Sequence, residues 1–212
     1  MIWEPLQLLY WKLQDWLVRS QRGEQPERGV IRDDNYSLIT FSTPSKWTQY
    51  RTVLLPPSCM YVDPFTKGSL FVGSSINAMF SVGSYDLIIN ATMEVPQFDY
   101  LTHFLRVPVR DVKGANLFFN ASHGLQVTLT LHQAIVEGKR VLVHCQFGAS
   151  RSVAVTLAYL LWRHRQKSML TVYEELRQKR EIVHVNSIFL KEVKCLLSVW
   201  DVYTHALTVY NP

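Results

Sequence analysis

Cysteine is scarce in this chain: Cys59, Cys145 and Cys195 are the only three among 212 residues. An odd, sparse set does not make a disulfide framework and points to a reducing compartment, so the expected location is the cytoplasm, extending to the nucleus. No Cys/His cluster has zinc-ligand spacing, which argues against a metal, and nothing else calls for a cofactor. Long apolar runs are missing too. None approaches the ~18 residues a membrane span needs, so stable membrane insertion is not expected. The apolar N-terminus is interrupted by Glu4, Lys12 and Asp15 and so lacks the core of a signal peptide. There is no internal repeat. Charge of one sign is not in strong excess: 22 Lys and Arg against 17 Asp and Glu leave a net +5. That falls short of a nucleic-acid-binding stripe. It suits approach of an anionic substrate and equally well serves solubility.

What is present is the balance of a globular protein, 48% apolar and 18% charged. The length fits one domain with an appendage and a sizeable core. Trp3, Leu6, Leu9, Tyr10, Leu13, Trp16 and Leu17 recur at helical spacing with Lys12, Asp15 and Arg19 opposite, which predicts an amphipathic helix over 3–19. Leu8 and Trp11 project from its polar side, so packing on the domain and docking of a partner both stay open. Residues 20–35 are polar and Gly/Pro-punctuated and read as a linker. Residues 36–58 are mixed and broken by Pro44, Pro56 and Pro57. The division expected is therefore a helix-and-loop extension over 1–59 and a catalytic domain over 60–212.

Within the second part, 69–73, 86–92, 103–109 and 141–144 read as strands. Helices are expected over 115–137, with Gly138 as its cap, and over 152–165, 168–180 and 187–204. Alternation of this kind predicts an α/β fold, a central, mostly parallel sheet of about five strands flanked by helices. Ligands bind such sheets at the C-terminal ends of the strands, where Cys145 falls.

The segment VLVHCQFGASRS, residues 141–152, carries the chemistry. Five residues separate Cys145 from Arg151. A loop that short, leaving a strand and entering a helix, can turn the backbone N–H groups of Gln146, Phe147, Gly148, Ala149 and Ser150 toward one centre. Such a nest binds a tetrahedral oxyanion, and the helix N-terminus adds its positive end. Gly148 supplies the freedom to turn. Arg151 offers a planar fork to two phosphate oxygens. The same surroundings favour the thiolate of Cys145 over a thiol with an ordinary pKa of about 8.5. His144 is placed to steady the sulfur's surroundings, and Ser152 to donate a hydroxyl hydrogen bond when the sulfur leaves.

HCQFGASRS resembles the H-C-x-x-G-x-S-R-S signature of the dual-specificity branch of the protein tyrosine phosphatases. The likeness extends over about residues 60 to 204: GSLFVGS resembles the family's opening strand, and DLIINAT its next strand with an Asn, here Asn90. It implies the protein tyrosine phosphatase fold, catalysis without a metal and a phosphocysteine intermediate. It also implies a general acid on a loop after an apolar-Pro pair, which VPVRD supplies as Asp111, 34 residues before Cys145. Asp99 is the other candidate. The stretch usually close to R-P-x-x-x-P-N-x-G-F reads here Arg180 to Phe189 with only the Arg, Asn and Phe kept, so the loop behind the site is expected to differ in shape. Phe147 is bulkier than usual.

The uncharged side chains of Gln146, Phe147 and Ala149 favour a singly phosphorylated protein over an inositol phosphate. HCQ-x-G-x-SRS together with YDLIINATMEVP is similar to fungal phosphatases of mitogen-activated protein kinases, which names a MAP kinase as substrate and partner. Two other readings stand beside this one, a phosphoprotein-binding module without turnover and a phosphoinositide phosphatase. Cys59 or Cys195 could pair with Cys145 under oxidation, and the sequence leaves that open.

Overall fold

The computed structural model describes residues 30–32, 38–40, 54–81, 83–97, 103–112 and 114–210, with side chains up to residue 200 within the continuous part. The helix expected over 3–19 and Asp99 lie outside the described residues. Part of the stretch read as linker and mixed sequence is paired instead: β1 (Val30–Arg32) runs antiparallel to β2 (Leu38–Thr40), with Ile31 opposite Ile39. β-branched residues on both sides favour that pairing.

The central sheet has five strands. β3 (Ser58–Val62), β4 (Ser69–Gly73), β7 (Arg140–His144), β5 (Leu87–Asn90) and β6 (His103–Arg106) lie side by side in that order. β3 is antiparallel to β4, and the other neighbours are parallel. The expected architecture is therefore the one observed. β3 is the strand the sequence did not announce. It sits at an edge, follows Pro56 and Pro57, and hides only Met60 fully, so its apolar signal is weak.

Alternation along the strands builds two apolar layers. Leu70, Val72, Leu87, Ile89, Val141 and Val143 face the larger core, and Ile88 and Leu142 face a smaller one with Ala78 and Tyr85. The larger core is closed by α2 (Ala121–Val136), α3 (Arg151–Arg163), α4 (Met169–Lys179) and α5 (Ser187–Tyr210). α3 is the central helix: every residue from Val153 to Leu161 is buried, and it packs on α2, α4 and α5. A helix apolar all round belongs in the middle of a core. The short α1 (Ser75–Met79) covers the smaller face, opened by a capping box between Ser74 and Asn77.

α2 begins at 121 rather than 115. Asn120 is its N-cap, its side chain accepting from the His123 N–H at 2.8 Å, so Leu117 and Phe118 enter the core from the preceding turn. Gly138 follows the helix end in the left-handed region, φ 78°, as expected of a glycine there. Among the described residues no helix is long and apolar enough to cross a membrane.

Candidate active site

Three parallel strand ends and the start of α3 meet at one place. β7 ends at His144, Cys145 follows, and Arg151 opens α3. The Cys145 side chain is buried, 2% exposed. Its sulfur accepts two hydrogen bonds at 3.2 Å, from the Gly148 N–H and the Ser152 hydroxyl. Burial by itself would push this thiol up. The Arg151 guanidinium and the Ser152 hydroxyl and N–H outweigh it, against a smaller opposing push from Asp111, and the thiol ends below its ordinary value.

The loop is held from outside by its carbonyls. Gln146 O accepts from Ser75, from both its N–H and its hydroxyl at 3.2 Å. Gly148 O accepts from Arg180 Nε at 2.8 Å, and Ala149 O from the His184 N–H at 2.9 Å. In a planar trans peptide the N–H points opposite to the C=O. Pinning these three carbonyls outward therefore turns the N–H groups of Phe147, Ala149 and Ser150 inward. Gly148 itself has φ 70°, and a Cβ there would stand 2.6 Å from Gly73 O, so this position requires glycine. Ser150 is the N-cap of α3 but caps nothing with its side chain, which instead accepts from the Asn186 N–H at 3.2 Å. The first N–H groups of α3 are left open to an anion.

Arg151 is 4% exposed. Its Nη1 donates to Glu94 Oε1 at 2.6 Å and to Val109 O at 3.1 Å, while its buried Nε has no hydrogen-bond partner. One edge of the fork is fixed and the other is free. Asp111 Oδ2 lies 3.8 Å from that Nε, and Asp111 Oδ1 accepts from Asn186 Nδ2 at 3.3 Å. Asp111 thus stands at the open side of the loop, with a third of its side chain exposed. The His184 ring nearby is held below its usual value by burial, with Asp111 pulling the other way.

Of the residues singled out in the sequence, the structure brings together Cys145, Gln146 to Ser152 and Asp111. His144 is buried at the end of β7 and Asn90 lies one strand away. Asn90 does not reach the loop; it shapes the turn that follows β5. Its Nδ2 donates to Val95 O at 2.8 Å and its Oδ1 accepts from Thr92. Arg106 clamps the same turn through the carbonyls of Thr92, Met93 and Val95. That turn carries Glu94, which sequence reasoning missed. The only signal was an acid shortly after a buried strand end, and its partner lies 57 positions away. Ser75 was missed for the same reason. Of the altered stretch from 180, Arg180, His184 and Asn186 all hold the loop, and Phe189 is fully buried. Cys59 and Cys195 are exposed and all three cysteines are free.

A family profile described as "Dual specificity phosphatase, catalytic domain" matches residues 70–196. Dual specificity protein phosphatase 18 of Mus musculus is 30% identical over 156 residues, covering 70% of this chain and 79% of that protein. The crystal structure of human DUSP28 superposes with a TM-score of 0.57 at 26% identity, over 69% of this chain and 97% of that one. The human tyrosine phosphatase-like serine/threonine/tyrosine-interacting protein shares the fold at a TM-score of 0.54 and 21% identity, over 62% of this chain and 92% of that one.

Proposed function

The chain belongs to the dual specificity phosphatase family and is a protein phosphatase; from that premise we propose that Cys145 is its nucleophile, Arg151 its phosphate clamp and Asp111 its general acid. The observation that carries this reading is the buried Cys145 sulfur, which accepts two hydrogen bonds between an uncapped helix N-terminus and a guanidinium with one edge free.

Cys145 attacks phosphorus in line. The free edge of Arg151 and the inward N–H groups stabilise the equatorial oxygens, and Asp111 protonates the leaving alkoxide or phenoxide. Water then attacks the phosphocysteine and gives its proton to Asp111. The P–S bond breaks, and the Ser152 hydroxyl, already 3.2 Å from the sulfur, steadies the departing thiolate. His144 adjoins the nucleophile at the end of β7, and Asn90 acts at one remove, through the turn that carries Glu94 to Arg151.

The substrate is a singly phosphorylated protein, on tyrosine or on serine and threonine. Gln146, Phe147 and Ala149 bring no charge to the loop, and the exposed Met93 and Val112 flank Glu94 and Asp111 with apolar surface. A MAP kinase is the substrate we favour, on the likeness of the loop and of YDLIINATMEVP. We place the enzyme in the cytoplasm and nucleus.

Hydrolysis of an aryl phosphate across pH, with EDTA, tests the mechanism. Turnover should persist in EDTA and vanish in Cys145→Ser, and Asp111→Asn should lose ~10²–10³-fold and change the pH profile. Phosphotyrosine and phosphothreonine peptides should outrun phosphoinositides. A wild type that binds phosphopeptide without turnover would make this a binding module, a role the shared fold alone does not exclude.

A further inference from the structure

Arg180 closes α4 and is 3% exposed. Its donors meet only neutral oxygens: Nε reaches Gly148 O at 2.8 Å, and Nη1 reaches Pro56 O at 2.9 Å and Ser58 Oγ at 3.1 Å. Nη2 is buried with no hydrogen-bond partner. Among the described residues no carboxylate lies within ion-pair distance of it. A guanidinium does not shed its proton, and a buried cation without an anion is costly. The anion must therefore come from the site it backs.

Two observations say which anion. The Arg180 bond to Gly148 O fixes the Gly148–Ala149 peptide, whose N–H then faces the centre of the loop. In addition, Gly148, whose carbonyl Arg180 holds, donates its own N–H to the Cys145 sulfur at 3.2 Å; burial holds the Arg180 pKa below its ordinary value, and the charge of Cys145 pulls it the other way. We propose that Arg180 is a positioning residue of the phosphoryl site: it turns the Ala149 N–H toward the bound oxyanion, and it is the second cation, behind the loop, that balances the Cys145 thiolate. The other groups that face the loop are Arg151 from α3, Asp111 and Glu94 from the loops after β6 and β5, His184 from the segment before α5, and His144 from β7. Among these described residues, Arg151 and Arg180 are the permanently cationic ones.

The proposal rests on Cys145 as the reactive thiol. Its test reads that thiol directly, by the pH dependence of iodoacetamide alkylation followed at the Cys145 peptide, since Cys59 and Cys195 are exposed and also free. Arg180→Met should raise the alkylation midpoint by about one pH unit, tenfold less thiolate below it. Arg180→Lys keeps the charge and loses the fork, so its midpoint should stay while kcat/KM falls about tenfold. Ser58→Asp replaces the hydroxyl that Arg180 meets with a carboxylate and leaves its bonds to Gly148 O and Pro56 O in place; it should raise the midpoint by about half a unit, which decides the matter if Arg180→Met does not fold. A folded Arg180→Met, or Ser58→Asp, with the wild-type midpoint would overturn the proposal. A shifted midpoint in a protein that hydrolyses no phosphopeptide would leave the role of Arg180 standing and remove the phosphatase mechanism instead.

Discussion

Helix α3 has an arginine at each end, and the two live in different worlds. Arg163, at the C-terminal end, donates Nη2 to Asp63 at 2.5 Å and Nε to the Tyr61 hydroxyl at 2.9 Å, and its Nη1 meets His132 Nδ1 at 3.3 Å. Its charge also suits the negative end of the helix. Arg151, at the N-terminal end, has one edge engaged and one donor open, and it sits where the helix is already positive. The first arrangement is closed and complete. The second keeps a buried donor without a hydrogen bond. Arginine therefore braces β3 against α2 and α3 at one end and, under the mechanism we propose, recognises phosphate at the other, and satisfied against open donors is what separates the two.

The sharpest way to break this comparison is at the open end. Arg151→Lys keeps the charge but loses the planar fork, and kcat/KM on an aryl phosphate should drop ~10²–10³-fold with the thermal midpoint little changed. Glu94→Gln leaves Arg151 in place but weakens its outer anchor. Steady-state kinetics should show about a tenfold loss in kcat/KM, and a wild-type value would mean Glu94 merely neutralises a free surface. Asp63→Asn tests the closed end. Thr66 N–H, the largest influence, with Phe65 N–H and Arg163, holds the Asp63 carboxyl down at about 2 against the effect of burial. A depressed carboxyl stabilises the fold above its unfolded pKa of about 3.8 and loses that contribution as pH falls toward about 2. The variant should melt at a lower temperature at neutral pH, with the difference shrinking below about pH 4, while kcat/KM changes less than twofold.

The reactive half of the site was legible because its residues are contiguous. Cys145 to Ser152 form one loop, and a loop's local chemistry can be read from its own letters. Asp111 was reached through the resemblance, with Pro108 as the landmark. Glu94, Ser75 and Asn186 act across 57, 71 and 36 positions, on Arg151, Gln146 and Ser150 respectively. Each is an ordinary polar residue near the end of an element, and only the sheet order brings it to the loop. The same limit applies to the fold. The buried strands β4, β5 and β7 show as apolar runs, whereas edge strand β3 buries one side chain in five and leaves no such trace. The late start of α2 turned on Asn120, which competes for backbone N–H groups in a way that hydrophobic periodicity does not register.

The crowding around Gly148 bears on how such an enzyme could diversify. A methyl group there would meet Gly73 O at 2.6 Å and Arg180 Nη2 at 2.9 Å, in a conformation that side chains avoid. Ser150 is likewise buried and committed to Asn186. Of the five residues between Cys145 and Arg151, only Gln146, Phe147 and Ala149 are partly exposed. Natural drift or directed evolution therefore has three letters, rather than five, with which to retune selectivity without dismantling the anion cradle.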